Sequence, residues 1–168
     1  MTEDDDQSGT SMLVNDLDRY TPYDVRSQFT DADGNGIDIA VGGSTVNGLS
    51  TLGPEELKLC WWLTDTNQPG PALLRAEALL RDQLTELQSI DNVTMGIIWG
   101  QGEEAAQEIG RATDKPAAAA AYKAATLKVF DYLHAQFGSF SVYMMETGHY
   151  EQDAARARGY SEEKIASI

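Results

Sequence analysis

Two short turns in this sequence place amide hydrogen-bond donors at the ends of apolar segments. In the first turn, AVGGSTV, Gly42 and Gly43 follow an apolar run, and glycine lets a backbone N–H approach a ligand closely. In the second turn, WGQGEE, Gln101 carries a side-chain amide and Gly102 can bring its backbone close to a bound group. Amide donors that converge from two strand ends are what an oxyanion hole in acyl transfer requires.

A carboxylate stands beside the second turn. Glu103 falls at the start of a predicted helix, where the helix dipole favours the ionised form of a carboxyl group. A plainer interpretation stays open for each turn taken singly. Glycine pairs often end strands, and glutamate is a routine choice in the first turn of a helix. The two turns together, in this order, favour a functional site.

The segments that must position these turns alternate between strand and helix patterns. Apolar runs at 37–43, 93–100 and 140–146 predict three strands, and residues 44–53 read as a loop. Helices are predicted to begin at Pro54, Pro71, about Glu103 and Pro116. The first is predicted to run through PEELKLCWWLTD, and the last is predicted to stop at Gly138. Alternation of apolar strands with helices predicts an α/β layered fold with a parallel sheet, whose ligands collect at the carboxyl ends of the strands.

The two turns and their spacing resemble a known enzyme family. AVGGSTV followed about fifty residues later by IIWGQGEEAA is similar to the sialate O-acetylesterase-like carbohydrate esterases of the SGNH hydrolase superfamily, whose third block reads W-x-Q-G-E. The helix AAYKAATLKVFDYL, the strand SVYMMETG and the segment ARARGYSEEKI extend the resemblance, which covers residues 37–168. The WGQGE block is its most specific part.

The resemblance implies a three-layer flavodoxin-like fold with a short parallel sheet, in a domain that hydrolyses acetyl esters on sugars. Gly43 matches the oxyanion glycine of the second block, and the adjacent Ser44 is assigned to substrate binding. Gln101 matches the oxyanion donor of the third block. Glu103 matches the acid proposed to orient the catalytic histidine in this branch of the family.

The sequence departs from the family at the nucleophile and the base. The family's nucleophilic serine lies in a G-Q-S-N block after the first strand, and the serine in the most comparable context is Ser11, which lacks the preceding strand and the following asparagine. The family's histidine lies in a late D-x-x-H block. His149 falls too early for that block, and His134 lies within a predicted helix as a packing residue. The esterase-like domain is therefore expected to be incomplete, with its first and last blocks missing.

A further acidic motif resembles the opening of a calcium-binding loop. TDADGNGID places Asp31, Asp33 and Asn35 at alternate positions, with Gly36 sixth. Position twelve is Gly42, where a bidentate glutamate is expected. An ordinary Asp/Asn/Gly turn is therefore the favoured interpretation, and calcium is the one cofactor that the sequence leaves open.

Charge and composition limit the partners. The formal net charge is −15 and the pI is near 4.3, so nucleic acid and anionic lipid are excluded as expected partners. The diffuse acidity and scarcity of lysine favour a halophilic source, with an acidic mesophilic domain as the alternative. The sequence carries neither a signal-peptide pattern nor an apolar run long enough for a membrane span, which predicts a soluble protein. Cys60 is expected to be a small buried residue. The adjacent Trp61–Trp62 pair is expected to contribute to the core and to an interface, with a platform for a sugar ring as the alternative.

These observations predict an acidic arm and lead-in over residues 1–30 and an SGNH hydrolase-like domain over residues 31–168. The expected function is a degenerate or incomplete esterase-like domain that contacts glycans or builds a surface. A decoration or tail protein of a virus infecting a halophile is one such surface component, and the cytoplasm of a halophile is the other expected location. The alternative is an active carbohydrate O-acetylesterase. A protein partner or a second copy is expected to cover an exposed sheet edge.

Overall fold

The computed structural model of the protein describes residues 28–30, 36–40, 43–89, 93–145, 156–157, 159 and 161. The strands are β1 (Gln28–Thr30), β2 (Gly36–Asp38), β3 (Thr45–Gly48), β4 (Cys60–Leu63), β5 (Gln68–Pro69), β6 (Gly96–Trp99) and β7 (Ser141–Met144). The helices are α1 (Pro54–Leu57), α2 (Pro71–Glu86), α3 (Glu103–Arg111) and α4 (Lys115–Phe137), and a 3-10 turn, Leu87–Ser89, follows α2.

The strands form small sheets in which parallel and antiparallel pairing are mixed. β3 pairs in parallel with β4, and β5 adds to the other edge of β4 in the antiparallel direction. β6 and β7 form a parallel pair, and β1 and β2 an antiparallel pair. The predicted α/β class with parallel pairing is confirmed at this level, because helices alternate with short parallel strands.

The core lies where the two long helices meet the sheets. Trp99 is at its centre, with its ring edge-on to Trp61 and Phe130 and both ring centroids 5.1 Å away. The predicted burial of Cys60 is confirmed. Trp61 and Trp62 are both buried, so both belong to the core. The buried residues of the cluster are Val46, Trp61, Trp62, Ala72, Leu73, Ala76, Trp99, Ala125, Val129 and Leu133.

The helix predicted to run on from Pro54 is wrong after its first turn. It ends at Leu57, and the CWWL segment that was assigned to it is strand β4. None of the residues of α1 is buried, whereas three of the four residues of β4 are. Aromatic side chains pack well on a pleated surface, and the pairing with β3 supplies backbone hydrogen bonds that a local helix signal does not anticipate.

The prediction for residues 37–53 is also corrected. The strand expected at 37–43 is observed as β2, and the chain bends at Ile39 and Ala40. The residues expected to form a loop contain β3, whose Val46 is fully buried against the core. The β-branched residues Thr45 and Val46 suit a strand, and β4 provides the partner that makes it one.

The helical predictions fare better because their signals are local. α2 begins at Pro71 and α3 begins at Glu103, both as predicted. α4 begins at Lys115, one residue before the predicted start, and ends before Gly138 as predicted.

A hydrogen bond to a charged carboxylate helps to join α2 to α4. The Tyr132 hydroxyl donates to Glu77 Oε2 at 2.6 Å, and Arg81 donates to Glu77 Oε1 at 2.7 Å. The Tyr132 hydrogen bond, with help from Arg81, holds the pKa of Glu77 below its usual range. The same hydrogen bond raises the pKa of Tyr132. Both directions are those expected when a neutral phenol donates to an ionised carboxylate.

Tyr132→Phe is expected to lower the free energy of unfolding by about 1.5 kcal/mol near neutral pH, the usual contribution of a hydrogen bond to a charged group. The lowered pKa of the Glu77 carboxyl stabilises the fold at pH values above the pKa that this group has in the unfolded chain. This stabilisation is lost as the pH falls through the lower pKa of the folded state. The raised pKa of Tyr132 stabilises the fold at pH values below the pKa that this group has in the unfolded chain. This stabilisation is lost as the pH rises through the higher pKa of the folded state. The difference in unfolding free energy between the wild type and Tyr132→Phe should therefore shrink in acid and in strong alkali. Urea unfolding across a range of pH measures it. The same loss in a Glu77→Gln background would contradict this account.

Candidate functional site

The Gly43–Ser44 turn leads directly into strand β3. Gly43 is exposed and has a φ of 71°, a left-handed conformation that favours glycine. A Cβ built at Gly43 would meet none of the atoms of the described residues within 4 Å. Ser44 is buried. The next residue, Thr45, begins β3, and its N–H donates to Leu59 O at 3.2 Å.

The WGQGEE turn joins strand β6 to helix α3. Trp99 is buried at the end of β6, and its carbonyl accepts a 2.8 Å hydrogen bond from the Met145 N–H, which follows β7. Gly102 has a φ of 157° and immediately precedes the helix. The helix begins at Glu103, so Gln101 lies just outside a nine-residue helix at its positive end.

The structure brings the two turns into contact. Gln101 Nε2 donates a hydrogen bond of 2.5 Å to the carbonyl oxygen of Ser44, the residue after Gly43. The predicted residues Gly43, Ser44 and Gln101 thus lie together. Their arrangement differs from the one expected, because Ser44 stands at the amino end of β3 and Gln101 follows the carboxyl end of β6.

Tyr122 belongs to this cluster and was not predicted as a site residue. Its hydroxyl, on α4, donates to Gln101 O at 3.0 Å and lies 3.3 Å from Gln101 Oε1. The sequence contains one signal for this role, a tyrosine in an alanine-rich helix. In the structure Tyr122 is half-buried and offers its polar tip to the nearby turn. The contact itself spans 21 positions and depends on how α4 packs.

Helix α3, which follows the WGQGEE turn, carries acidic side chains. Partial burial raises the pKa of the Glu108 carboxyl on α3, and the like charge of Glu104 one turn earlier raises it further. Burial also raises the pKa of the Cys60 thiol, and the charges of Glu108 and Glu56 add to this effect. A neutral, buried thiol of this kind is a packing group rather than a nucleophile.

The other predicted residues fall elsewhere. Ser11, Asp31, Asp33, Asn35, Gly42 and His149 lie outside the described residues. His134 stacks on Phe140, with ring centroids 4.1 Å apart, and lies on α4 more than three turns beyond Tyr122. At the rise of an α-helix this separation is roughly 18 Å, so His134 does not serve the Gln101 site. In the parts of the chain that the structure describes, no group of three or more His, Cys, Asp or Glu residues is placed to hold a metal ion.

Neither the family models nor the solved structures bear on this site. Among the described segments, no helix has both the length and the apolar character needed to cross a membrane. No family model matches the chain. No solved structure matches it either.

Proposed function

We propose that this chain is an SGNH hydrolase-like domain, of three-layer flavodoxin-like architecture, that binds O-acetyl esters on glycans. In this proposal it is a degenerate or incomplete relative of the carbohydrate esterases that works as a glycan-contacting or structural surface component. The observation that carries the proposal is the hydrogen bond from Gln101 Nε2 to Ser44 O beside the exposed Gly43.

The chemistry follows from the number of protons on a primary amide. Gln101 Nε2 has two N–H groups, and the hydrogen bond to Ser44 O uses one of them. The second N–H, together with the backbone N–H of Gly43, is assigned to the carbonyl oxygen of the bound acetyl group. Two amide donors on one carbonyl oxygen both hold the ester and favour negative charge on that oxygen. The positive end of α3 acts in the same direction.

The negative charge of α3 and of the whole chain favours a neutral ligand. Glu103, Glu104 and Glu108 all belong to α3, and the charge of the whole chain is −15. A negative field of this kind disfavours a ligand that carries its own carboxylate. An O-acetylated neutral sugar therefore fits the site better than an acetylated acidic sugar.

The charge also supports the proposed setting. A surface this acidic is suited to a salt-rich solvent, because dissolved salt shortens the range over which like charges repel. We assign the chain to a virion surface or to the cytoplasm of a halophile, both of which are in contact with such a solvent. Strand β7 carries no charge and exposes Tyr143 and Met144, at 61% and 59%. That strand is the surface we assign to a protein partner or to a second copy.

A second candidate function is hydrolysis of the same ester, and the position of Ser44 favours it. Ser44 is the serine held beside Gln101, so an active enzyme would use Ser44 as its nucleophile in place of Ser11. Such an enzyme also needs a base. His134 is too far away to be that base.

Gln101→Met is expected to weaken the binding of an O-acetylated methyl glucoside by about tenfold, the effect of losing one hydrogen bond of ordinary strength. Binding is measured by calorimetry or NMR titration in high salt, with the unacetylated glucoside as the ligand control. Gln107→Met is the matched protein control, because Gln107 accepts a hydrogen bond from Arg111 on the surface of α3. Equal affinity for both glucosides, or equal loss in both variants, would refute the proposed function.

A chromogenic acetyl ester separates the two candidate functions. If the domain only binds, para-nitrophenyl acetate is hydrolysed no faster with protein than with an equal amount of the Ser44→Ala variant. Turnover that Ser44→Ala abolishes and Ser11→Ala leaves intact would establish the esterase with Ser44 as nucleophile. Turnover that Ser11→Ala abolishes would restore the assignment expected from the sequence and overturn the role given to Ser44.

A further inference from the structure

Tyr122 contacts both oxygen atoms of Gln101. Its hydroxyl donates to the main-chain oxygen at 3.0 Å and lies 3.3 Å from the side-chain Oε1. One phenolic proton is shared between these two acceptors, with the shorter contact to the main chain. A single side chain on α4 therefore contacts both the backbone of the turn and its functional amide.

The contact selects one orientation of the carboxamide. The Ser44 carbonyl can only accept a hydrogen bond, so it requires Nε2 on its side of the amide group. The Tyr122 proton is directed at Gln101 oxygens, so it favours Oε1 on the opposite side. A flipped amide would set Oε1 against the Ser44 carbonyl oxygen, two acceptors without a proton between them. The two neighbours thus specify the same orientation.

We propose that Tyr122 is a positioning residue that fixes the Gln101 carboxamide so that its second N–H faces the bound ester. The proposal rests on the proposed function for the identity of the ligand, and on the geometry alone for the orientation of the amide. Tyr122 acts on the ligand through Gln101, because its proton is already engaged with Gln101 oxygens. Without the phenolic oxygen, the amide retains the Ser44 contact but loses the restraint on its other side.

The test compares Tyr122→Phe with Tyr132→Phe, the same change at the other tyrosine of α4, whose hydroxyl donates to Glu77 and not to Gln101. The first readout is NMR of the Gln101 side-chain amide, whose two proton signals are identified by their disappearance in Gln101→Met. In Tyr122→Phe these protons should exchange with solvent about tenfold faster and shift position, because the amide samples a second orientation. In Tyr132→Phe they should keep their wild-type shifts and exchange rates. Unchanged Gln101 signals in Tyr122→Phe would overturn the proposal.

The second readout is the affinity for the O-acetylated methyl glucoside. Tyr122→Phe should weaken binding about fivefold, and it should have no effect when added to Gln101→Met, because the residue acts only through that amide. Equal losses in the two backgrounds would overturn the positioning role. A wild-type protein that does not bind the acetylated glucoside would refute the proposed function, and the NMR readout would then still decide whether Tyr122 fixes the amide. Thermal unfolding of each variant confirms that the domain is folded in every comparison.

Discussion

Gly70→Ala is expected to destabilise the fold by about 3 kcal/mol, the upper end of the usual cost of overpacking, because the new methyl group has no room beside strand β4. A Cβ at Gly70 would lie 2.2 Å from the main-chain oxygen of Cys60 and 2.7 Å from its carbonyl carbon. These are backbone atoms of a buried strand, so no side-chain rotation relieves the contact. The Gly70 N–H also donates to Trp61 O at 2.8 Å, and a shift of the chain would break this hydrogen bond. Urea unfolding followed by tryptophan fluorescence measures the change.

The chain provides a closely matched control at Gly53. Gly53 and Gly70 both precede a proline that opens a helix, and both have extended backbone angles that alanine tolerates. A Cβ at Gly53 would meet only the flexible Glu56 carboxylate, at 3.6 Å. Gly53→Ala should therefore change stability by less than about 1 kcal/mol, the effect of a poorer helix cap alone. Similar losses in the two variants would show that capping, and not the close approach to β4, accounts for the glycine at position 70.

Leu73→Ala is expected to lower the free energy of unfolding by about 2–5 kcal/mol, the range found when a buried leucine leaves a cavity. Leu73 is completely buried on α2 and belongs to the core cluster that also contains Trp61 and Trp99. Interiors are closely packed, so the neighbouring rings and helices cannot collapse fully into the space that the side chain leaves. Denaturant unfolding gives the loss directly.

The next residue along the helix supplies the comparison. Leu74 is 45% exposed, so Leu74→Ala removes the same atoms from a position that water already reaches. Its expected cost is below about 1 kcal/mol. If Leu74→Ala cost as much as Leu73→Ala, the assignment of faces on α2 would be wrong.

The starts of α2, α3 and α4 and the end of α4 could be predicted from the sequence to within a residue or two. The positions of strands β3 and β4 could not. α2 follows leucines at helical spacing and begins at a proline, and both signals lie within the segment itself. CWWL, by contrast, is a strand because β3 lies alongside it and the core lies against it. The prolines at 54 and 71 look alike locally, yet one opens a single turn and the other opens four. The difference lies in the burial that each helix gains, which local sequence does not state.

The same division applies to the candidate site. The sequence indicates that Gly43 and Gln101 can present amide donors, since that is a property of the residue types. It does not indicate that Ser44 O accepts the hydrogen bond from Gln101, a contact that spans 57 positions. Tyr122 could not be selected from a helix that contains two tyrosines, because only packing decides which one reaches the turn.

The sequence by itself therefore determined the acidic surface, the class of fold, the helix starts and the donor chemistry of the turns at Gly43 and Gln101. These properties reside in composition, in short-range periodicity and in the functional groups of single residues. The tertiary structure decided that CWWL is a strand, that Ser44 leads into a strand rather than a loop, and that Gln101 lies between Ser44 and Tyr122. Each of these outcomes depends on hydrogen bonds and packing between segments far apart in the chain, whose energies outweigh the weak local preferences of the residues involved.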